Sequence, residues 1–475
     1  MTEQASFRAR VVIPLVVALA LLMETTDATV LATALPTLSR DLGVPVLSLK
    51  LALSTYLISY AAMVPVSGWL ADKFGARRIF VAAMCVFLAG SMLCAMQSDL
   101  LGLVLSRAVQ GAGGAMMVPV GRLIVLRGVA KPDMVQALAW VTIPALIGPA
   151  LGPLVGALVT AELGWRWIFL INLPIGALAL TLALILIPEL PKEPVKPLDQ
   201  PGFILSGLAI GAGLFGLSCL GEHLISTRMA IAAMVVGLVA LAIYLRRVRR
   251  RDDALVNPRL FRHHTFAVGT WAGTMFRISG GAAAFLLPLL FQVGLGLSIV
   301  TSGLISGTFA IGGIAMKAIA PRILDRFGFR PAMVWGTLIC AAAFAGLGFI
   351  DRVDYPRIIA LVVVAGFAQA LVFTALNGLV FAQTDEAEMA SATSLVAVSQ
   401  QVGLTAGISV AALVLQMGAG SHHIPELTHF HLAFWVVAAT LVVSAAMMMP
   451  LRPDETAGLR HPPTRKHRHF HWFWQ

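Results

Sequence analysis

Glu24 and Asp27 lie three residues apart in the middle of an apolar run, Val11 to Pro36, VVIPLVVALALLMETTDATVLATALP. A charged carboxylate in hydrocarbon costs roughly 2.5–3.5 kcal/mol on insertion scales. Two on one helix therefore require a compensating role. Residues three apart share a helix face, so both side chains can point into one polar cavity. The chemistry open to them is reversible protonation, with the two acids titrating as a coupled pair. Arg107, within LVLSRAVQGAGGAMMVP, is a third charge in an apolar run. A helix rising 1.5 Å per residue from Val11 sets Glu24 roughly 20 Å and Asp27 roughly 24 Å from its starting edge. A helix running back from Leu101 sets Arg107 roughly 20 Å from that edge in a slab about 30 Å thick. Opposite charges at matched depth on separate helices are what a buried ion pair requires. Asp27, Glu24 and Arg107 are thus the candidates for proton coupling; the plainer role for Arg107 is to satisfy backbone carbonyls.

Other polar residues in apolar runs are candidates for a substrate cavity: Gln110, Arg277, Asn172, Asn377 and Gln400, with Gln292, Gln369 and Gln401 beside them. Most intramembrane amides only join helices. Arg277 lies near the middle of its run, where a structural ion pair and an anionic ligand group are equally open as partners. Lys317 lies near the end of its run and can snorkel. No metal or cofactor is expected. The histidines cluster at His422, His423, His429 and His431 and again at His461, His467, His469 and His471, without an acid or cysteine at ligand spacing. The basic, Trp-containing tail that holds the second cluster suits a lipid surface. Cys85, Cys94, Cys219 and Cys340 all fall in apolar runs and read as small core residues. Neither a Ser/His pair nor H-E-x-x-H occurs inside an apolar run, so an enzyme is not expected.

The elements that carry these residues follow from composition. Of 475 residues 58% are hydrophobic and 12% charged, where a soluble protein shows about 25% charged. Apolar runs of bilayer-crossing length recur, without the alternation of a barrel. Fourteen spans are expected, near 11–35, 48–71, 79–97, 100–127, 135–160, 166–188, 201–221, 227–246, 265–292, 299–320, 332–350, 357–382, 389–417 and 430–450. The net charge of +11 sits in short loops, which reads as a topology signal rather than nucleic-acid binding. Lys73, Arg77, Arg78, Arg127, Arg246, Arg247, Arg322, Arg326 and Arg330 fall on the side of the N-terminus. The opposite loops carry few, among them Arg40, Lys50, Arg228, Arg352 and Arg357, so both termini are expected in the cytoplasm. A first span preceded by Arg8 and Arg10 without a cleavage signal reads as uncleaved.

The loop after span 2, GWLADKFGARR, and that after span 10, PRILDRFGFR, share D-[KR]-F-G-x-R. Six spans precede the centre and six follow, which is a transporter arrangement. The expected division is 1–188 for a first six-helix bundle, 189–252 for two inserted helices and linkers, 253–451 for a second bundle, and 452–475 for a basic cytoplasmic tail. Asp72, Gly75 and Arg78 in the first loop, and Asp325, Gly328 and Arg330 in the second, are candidates for a conformational latch. Each glycine supplies a turn with positive φ, and Asp72 can pair with arginines or a helix dipole across the seam between halves. In span 5, Gly148, Gly152 and Gly156 fall four apart and make one smooth face. Pro149 and Pro153 remove backbone donors and can bend that helix.

These motifs, together with W-R-W-I-F-L-I-N-L-P from Trp165, resemble the major facilitator superfamily over nearly the whole chain. The likeness is greatest to its fourteen-span drug:proton antiporter branch. T-D-A-T-V-L-A-T-A-L-P is similar to that branch's span-1 motif, G-W-L-A-D-K-F-G-A-R-R to the superfamily's signature loop, R-A-V-Q-G-A-G-G-A to its span-4 motif and Gly148–Gly156 to its exporter motif. The resemblance implies an all-α membrane protein with two six-helix bundles and two extra transmembrane helices. It implies a coupling acid at Asp27 tuned by Arg107, an inner-gate latch at Asp72, Gly75 and Arg78, and an exporter bend at Gly148, Pro149, Gly152, Pro153 and Gly156. Ala32, Thr26 and Glu24 depart from the usual span-1 pattern; a second acid at Glu24 could alter proton stoichiometry or preference for substrate charge. The expected activity is proton-coupled export of small hydrophobic or cationic compounds from a bacterial inner membrane, with protons, a small-molecule substrate and lipid as partners. Export of a metabolite, siderophore or amino acid is the alternative within transport, and a non-transporting sensor or scaffold the alternative outside it.

Overall fold

The computed structural model describes residues 11–129, 133–189, 197–222, 224–249, 258–384, 388–419, 425–452 and 455. Among them the regular structure is helical, with no strand. The first six helices are α1 (Ile13–Leu42), α2 (Lys50–Phe74), α3 (Ala76–Met96), α4 (Leu100–Gly128), α5 (Met134–Leu163) and α6 (Trp167–Leu186). Two more, α7 (Gln200–Cys219) and α8 (Thr227–Val248), form a hairpin. The last six are α9 (His264–Leu289), α10 (Ile299–Phe327), α11 (Phe329–Leu347), α12 (Tyr355–Val380), α13 (Met389–Ala419) and α14 (Leu427–Met448). Thirteen helices among the described residues are long and apolar enough to cross a bilayer. The remaining one, α5, is 30 residues long and includes the apolar stretch Leu151–Leu163. In hydrocarbon every backbone polar group must be satisfied within the chain, which long helices achieve. The molecule is a multi-pass membrane protein. The Pro-rich linker at 190–196, the basic segment at 250–257, Asp385 to Ala387, the cluster at His422 and His423 and the tail from 456 lie outside the described residues.

Sequence expectation and structure differ at several ends. Helix α1 continues to Leu42 through Pro36, past the expected stop at 35, and ends where Gly43 adopts φ 64°. One proline forfeits one helical hydrogen bond, which the packed bundle tolerates. Lys50 is not a loop residue; it opens α2 and is fully buried.

The two six-helix bundles repeat one another in their packing. In the first, α5 lies along α1; in the second, α13 lies along α9. Both contacts use glycines four apart. Added Cβ atoms at Gly148, Gly152 and Gly156 would collide with Thr25, Thr29 and Thr33 on α1, and at Gly403 and Gly407 with the α9 backbone at Thr274 and Ile278. The bundles meet along two seams, α5 with α10 and α2 with α13. At the α5–α10 seam a Cβ on Gly303 would stand 2.7 Å from the Pro153 carbonyl. The inserted hairpin breaks the symmetry: α7 packs on both α2 and α13 and so covers one seam.

The ends of the bundle differ. We call the end at which α1 begins and α14 finishes the terminal end, and the other the distal end. One core runs the length of the second bundle and is joined distally by residues of the first, among them Leu31, Leu35, Leu38, Leu49 and Phe169. The terminal-end core of the first bundle, including Val17, Phe80 and Val120, forms a separate cluster. The halves are thus welded at the distal end. Gln292 Nε2 adds a cross-seam bond to the Thr33 carbonyl at 2.9 Å.

Candidate functional site

Helix α4 carries the centre of the polar network. Arg107 and Gln110, one turn apart, face α1 because Gly111 and Gly114 let α4 lie directly on Tyr56 of α2. Arg107 donates to Asp27 Oδ2 at 2.7 Å, with both side chains almost wholly buried. Gln110 Nε2 and Asn172 Nδ2 donate to Asp27 Oδ1 at 2.9 and 2.7 Å. Ser91 Oγ, on α3, accepts from the same two amides at 3.0 and 2.9 Å. Arg107 also donates to Gln110 Oε1 at 2.6 Å. Three helices therefore meet at one carboxylate, whose two oxygens receive three donors, and α3 joins them through Ser91. A buried charge is tolerable only when paired and hydrogen-bonded in this way.

Asp27 and Arg107, expected at comparable depth, stand in direct contact. Glu24 does not join them. Three residues of helix turn 300°, and the remaining 60° sends Glu24 toward α2, where it accepts from Tyr56 Oη at 2.9 Å. The Tyr56 ring stacks on the Arg107 guanidinium at 4.4 Å, so Tyr56 links Glu24 to the network. The alternative role for Arg107 is present as well but weaker: its Nε is 3.4 Å from the Ala52 carbonyl.

A cavity of about 460 Å³ lies between the bundles, next to this network. Its wall includes Tyr56, Arg107, Pro153, Lys317, Gln369 and Phe373, with alanine, leucine and glycine around them. Among the described residues no carboxylate lines it. Of the cavity candidates from sequence, Gln369 lines it and the others fall elsewhere. Gln110 and Asn172 are consumed by Asp27. Gln400 and Asn377 pair with each other at 3.5 Å across α13 and α12. Arg277 is 5% exposed and sits behind the wall, 5.3 Å from the Phe373 ring. Lys317, expected to snorkel, lines the wall, as does Gln369. Pro149 and Pro153 line it too, while the glycines of the same motif face α1.

The latch candidates are split. Gly75 and Gly328 adopt φ of 100° and 85°, a conformation open to glycine. Asp72 pairs with Arg127 at 2.8 Å. That arginine ends α4 of the same bundle, so the contact does not cross the seam; α2 and α4 are neighbours, and the last turn of α4 brings the guanidinium to Asp72. Arg78 meets Glu189 at 3.2 Å on an exposed surface. Asp325 is exposed, and neither it nor Arg330 has an ion pair among the described residues. Sequence reasoning passed over Tyr56, whose only signal was a polar tip in span 2, and Ser91, which looks like any small residue until the fold sets it under two amides. Cys94, read as a small core residue, is buried with its Sγ 3.8 Å from Gln110 Oε1, whereas Cys85, read the same way, is exposed because its side of α3 faces outward.

A model of the Major Facilitator Superfamily matches residues 17–259 and 269–473. The chain belongs to the Major Facilitator Superfamily. It is 34% identical over 450 residues to the "Putative multidrug resistance protein MdtD" of Pectobacterium atrosepticum, covering 94% of this chain and 95% of that one. It is also 34% identical over 403 residues to the "Probable transport protein HsrA" of Haemophilus influenzae, covering 85% and 87%. Among solved structures, a D-xylose-proton symporter superposes with a TM-score of 0.68 at 16% identity, covering 94% of this chain and 99% of that one. A POT family transporter bound to 5-aminolevulinic acid gives 0.72 at 15%, covering 94% and 96%. These last likenesses concern the fold. The protein is a transporter of this superfamily.

Proposed function

We propose that this transporter exports small, apolar-bodied, drug-like compounds in exchange for protons, with Asp27 as the coupling acid. The observation that carries the reading is the buried carboxylate of Asp27, held by Arg107, Gln110 and Asn172 beside the central cavity. A proton on Asp27 cancels its charge, removes the attraction of Arg107 and leaves Gln110 and Asn172 a weaker acceptor. The network then no longer holds α1, α3, α4 and α6 in one arrangement. Protonation from the distal side favours release of cargo there, and proton loss on the terminal side resets the pair. The named relative MdtD supports drug export as the activity. Basic residues concentrated at the terminal end support a bacterial inner membrane with both termini in the cytoplasm.

The test is proton-driven uptake into inverted membrane vesicles. Asp27→Asn keeps the shape and one of the two acceptor oxygens but cannot exchange a proton. It is expected to insert at the parental level and to lose proton-driven uptake. Uptake at the parental rate by that variant would overturn the reading.

A further inference from the structure

The cavity wall carries cations without acids. Arg107 is matched by Asp27. Lys317, on α10, lines the cavity and has neither an ion pair nor a hydrogen bond to any described residue. Arg277, on α9, is 5% exposed. Its Nε has no hydrogen-bond partner, and among the described residues no carboxylate lies within ion-pair distance. Among the described residues its charge faces the Phe373 ring, 5.3 Å away, and Phe373 itself lines the cavity. Gln369, also on the wall, has an Oε1 without a partner. Arg277 thus stands one side chain behind the cavity surface, on the same bundle as Lys317.

A buried arginine with no counter-ion costs several kcal/mol and stays charged under all ordinary conditions. Structural arginines in membranes are paired or bonded to carbonyls. An orphaned one beside a cavity calls for a partner that arrives and leaves. A cationic compound would meet one uncompensated positive charge in this wall and a second behind Phe373, with no carboxylate among the described lining residues to offset them.

We propose that the cargo is an organic anion: an apolar body bearing a carboxylate, sulfonate or phosphate, held on the second bundle by Lys317 and Arg277. This rests on the export reading above and names its substrate class. The apolar wall takes the body of the compound. Lys317 supplies direct charge-assisted bonds, which are short and strong. Arg277 reaches the same group once the Phe373 ring turns aside. Proton site and anion site then lie on different bundles, Asp27 on the first and the two cations on the second.

The experiment measures equilibrium binding to the purified wild-type protein in phosphatidylcholine nanodiscs. The probes share one ring system: naphthylacetate, its methyl ester and naphthylethylamine. The acid is expected to bind about tenfold or more tightly than either of the others, as charge-assisted bonds imply. Lys317→Gln and Arg277→Gln are each expected to remove most of that preference, and Arg277→Lys to restore part of it. Equal or tighter binding of the amine, no measurable binding of the acid, or an unchanged preference in both glutamine variants would each overturn the proposal. Repeating the titration in phosphatidylglycerol discs separates a dissolved cargo from a lipid headgroup. Unchanged affinity supports cargo, and loss of acid binding there assigns the cations to lipid and overturns it. Binding does not depend on proton coupling, so Asp27→Asn is measured alongside. Acid preference in a variant that has lost uptake keeps this proposal and the coupling reading distinct. Acid preference in a variant that retains uptake defeats the coupling reading alone.

Discussion

Asp27 and Arg107 were legible from sequence because membrane depth can be counted along a helix. Counting gave matched depth, and the side chains are 2.7 Å apart. Depth carries no azimuth, however. Glu24 was counted just as well but faces Tyr56, and only the packing of α2 against α4 reveals it. Gln110 and Asn172 were visible as amides, yet whether an amide lines a cavity or serves a carboxylate depends on which helices adjoin. The two acids therefore predict different variants. Arg107→Gln leaves a buried carboxylate without its counter-charge and should cost about 3–5 kcal/mol of stability, measurable as a lowered unfolding midpoint in detergent. Glu24→Gln retains an acceptor for Tyr56 and leaves all three donors to Asp27 in place. It should keep proton-driven uptake within a few-fold of the parent and leave the midpoint nearly unchanged.

At the scale of elements, spacing foretold a smooth face on α5 but not its partner. Three glycines at intervals of four meet three threonines at the same interval on α1. The hydroxyls are turned back onto their own helix: Thr25 to the Leu21 carbonyl at 2.7 Å, Thr29 to Thr26 at 3.0 Å and Thr33 to Val30 at 2.9 Å. The contact is thus one of shape, without hydrogen bonds between the helices through these groups. The methyl added by Gly152→Ala has nowhere to go but Thr29, and overpacking of this kind costs about 1–3 kcal/mol. The variant should insert normally and lose most transport, since α1 carries the coupling acid. Thr29→Ala, combined with it, should recover part of the loss. Glycine periodicity on α13 carried the same information in weaker form, because Gly403 and Gly407 lack the prolines that make the α5 motif conspicuous. The repeat between the bundles was announced by the signature loops; the structure carries it further, into matching helix pairs.

At the scale of the molecule, fourteen long helices in two halves with an insert were readable from apolar runs and an internal repeat. The function of the inserted hairpin was not, because the residues that tie it down are distant in sequence. Lys50 of α2 pairs with Glu222 in the α7–α8 turn at 3.1 Å, both side chains being fully or almost fully buried. Its Nζ also donates to Gln416 of α13 at 3.2 Å and to the Leu220 carbonyl at 3.1 Å, and Gln416 donates to Glu222. One cluster thus joins the first bundle, the hairpin and the second bundle at the distal end, where the halves are closed. Counting Lys50 as an outer-loop charge hid this. Glu222→Gln should weaken that closure. A cysteine introduced at Thr33 in the otherwise cysteine-free protein should then react faster with an impermeant thiol reagent applied from the distal side than the same cysteine beside an intact Glu222. Equal rates would show that the hairpin does not restrain opening.

The unpaired cations at the cavity also have an electrical meaning. If each cycle admits one proton and expels one anion, both movements carry positive charge toward the cytoplasm. At about 2.3 kcal/mol per charge for each 100 mV, an interior-negative membrane contributes about 4.6 kcal/mol per 100 mV to every turnover. Exchange of a proton for a monovalent cation would move no net charge and gain nothing from voltage. Purified protein in liposomes with a potassium gradient and valinomycin should therefore export the naphthyl acid faster as the potential rises at fixed pH gradient. A rate indifferent to voltage would mark the exchange as electroneutral.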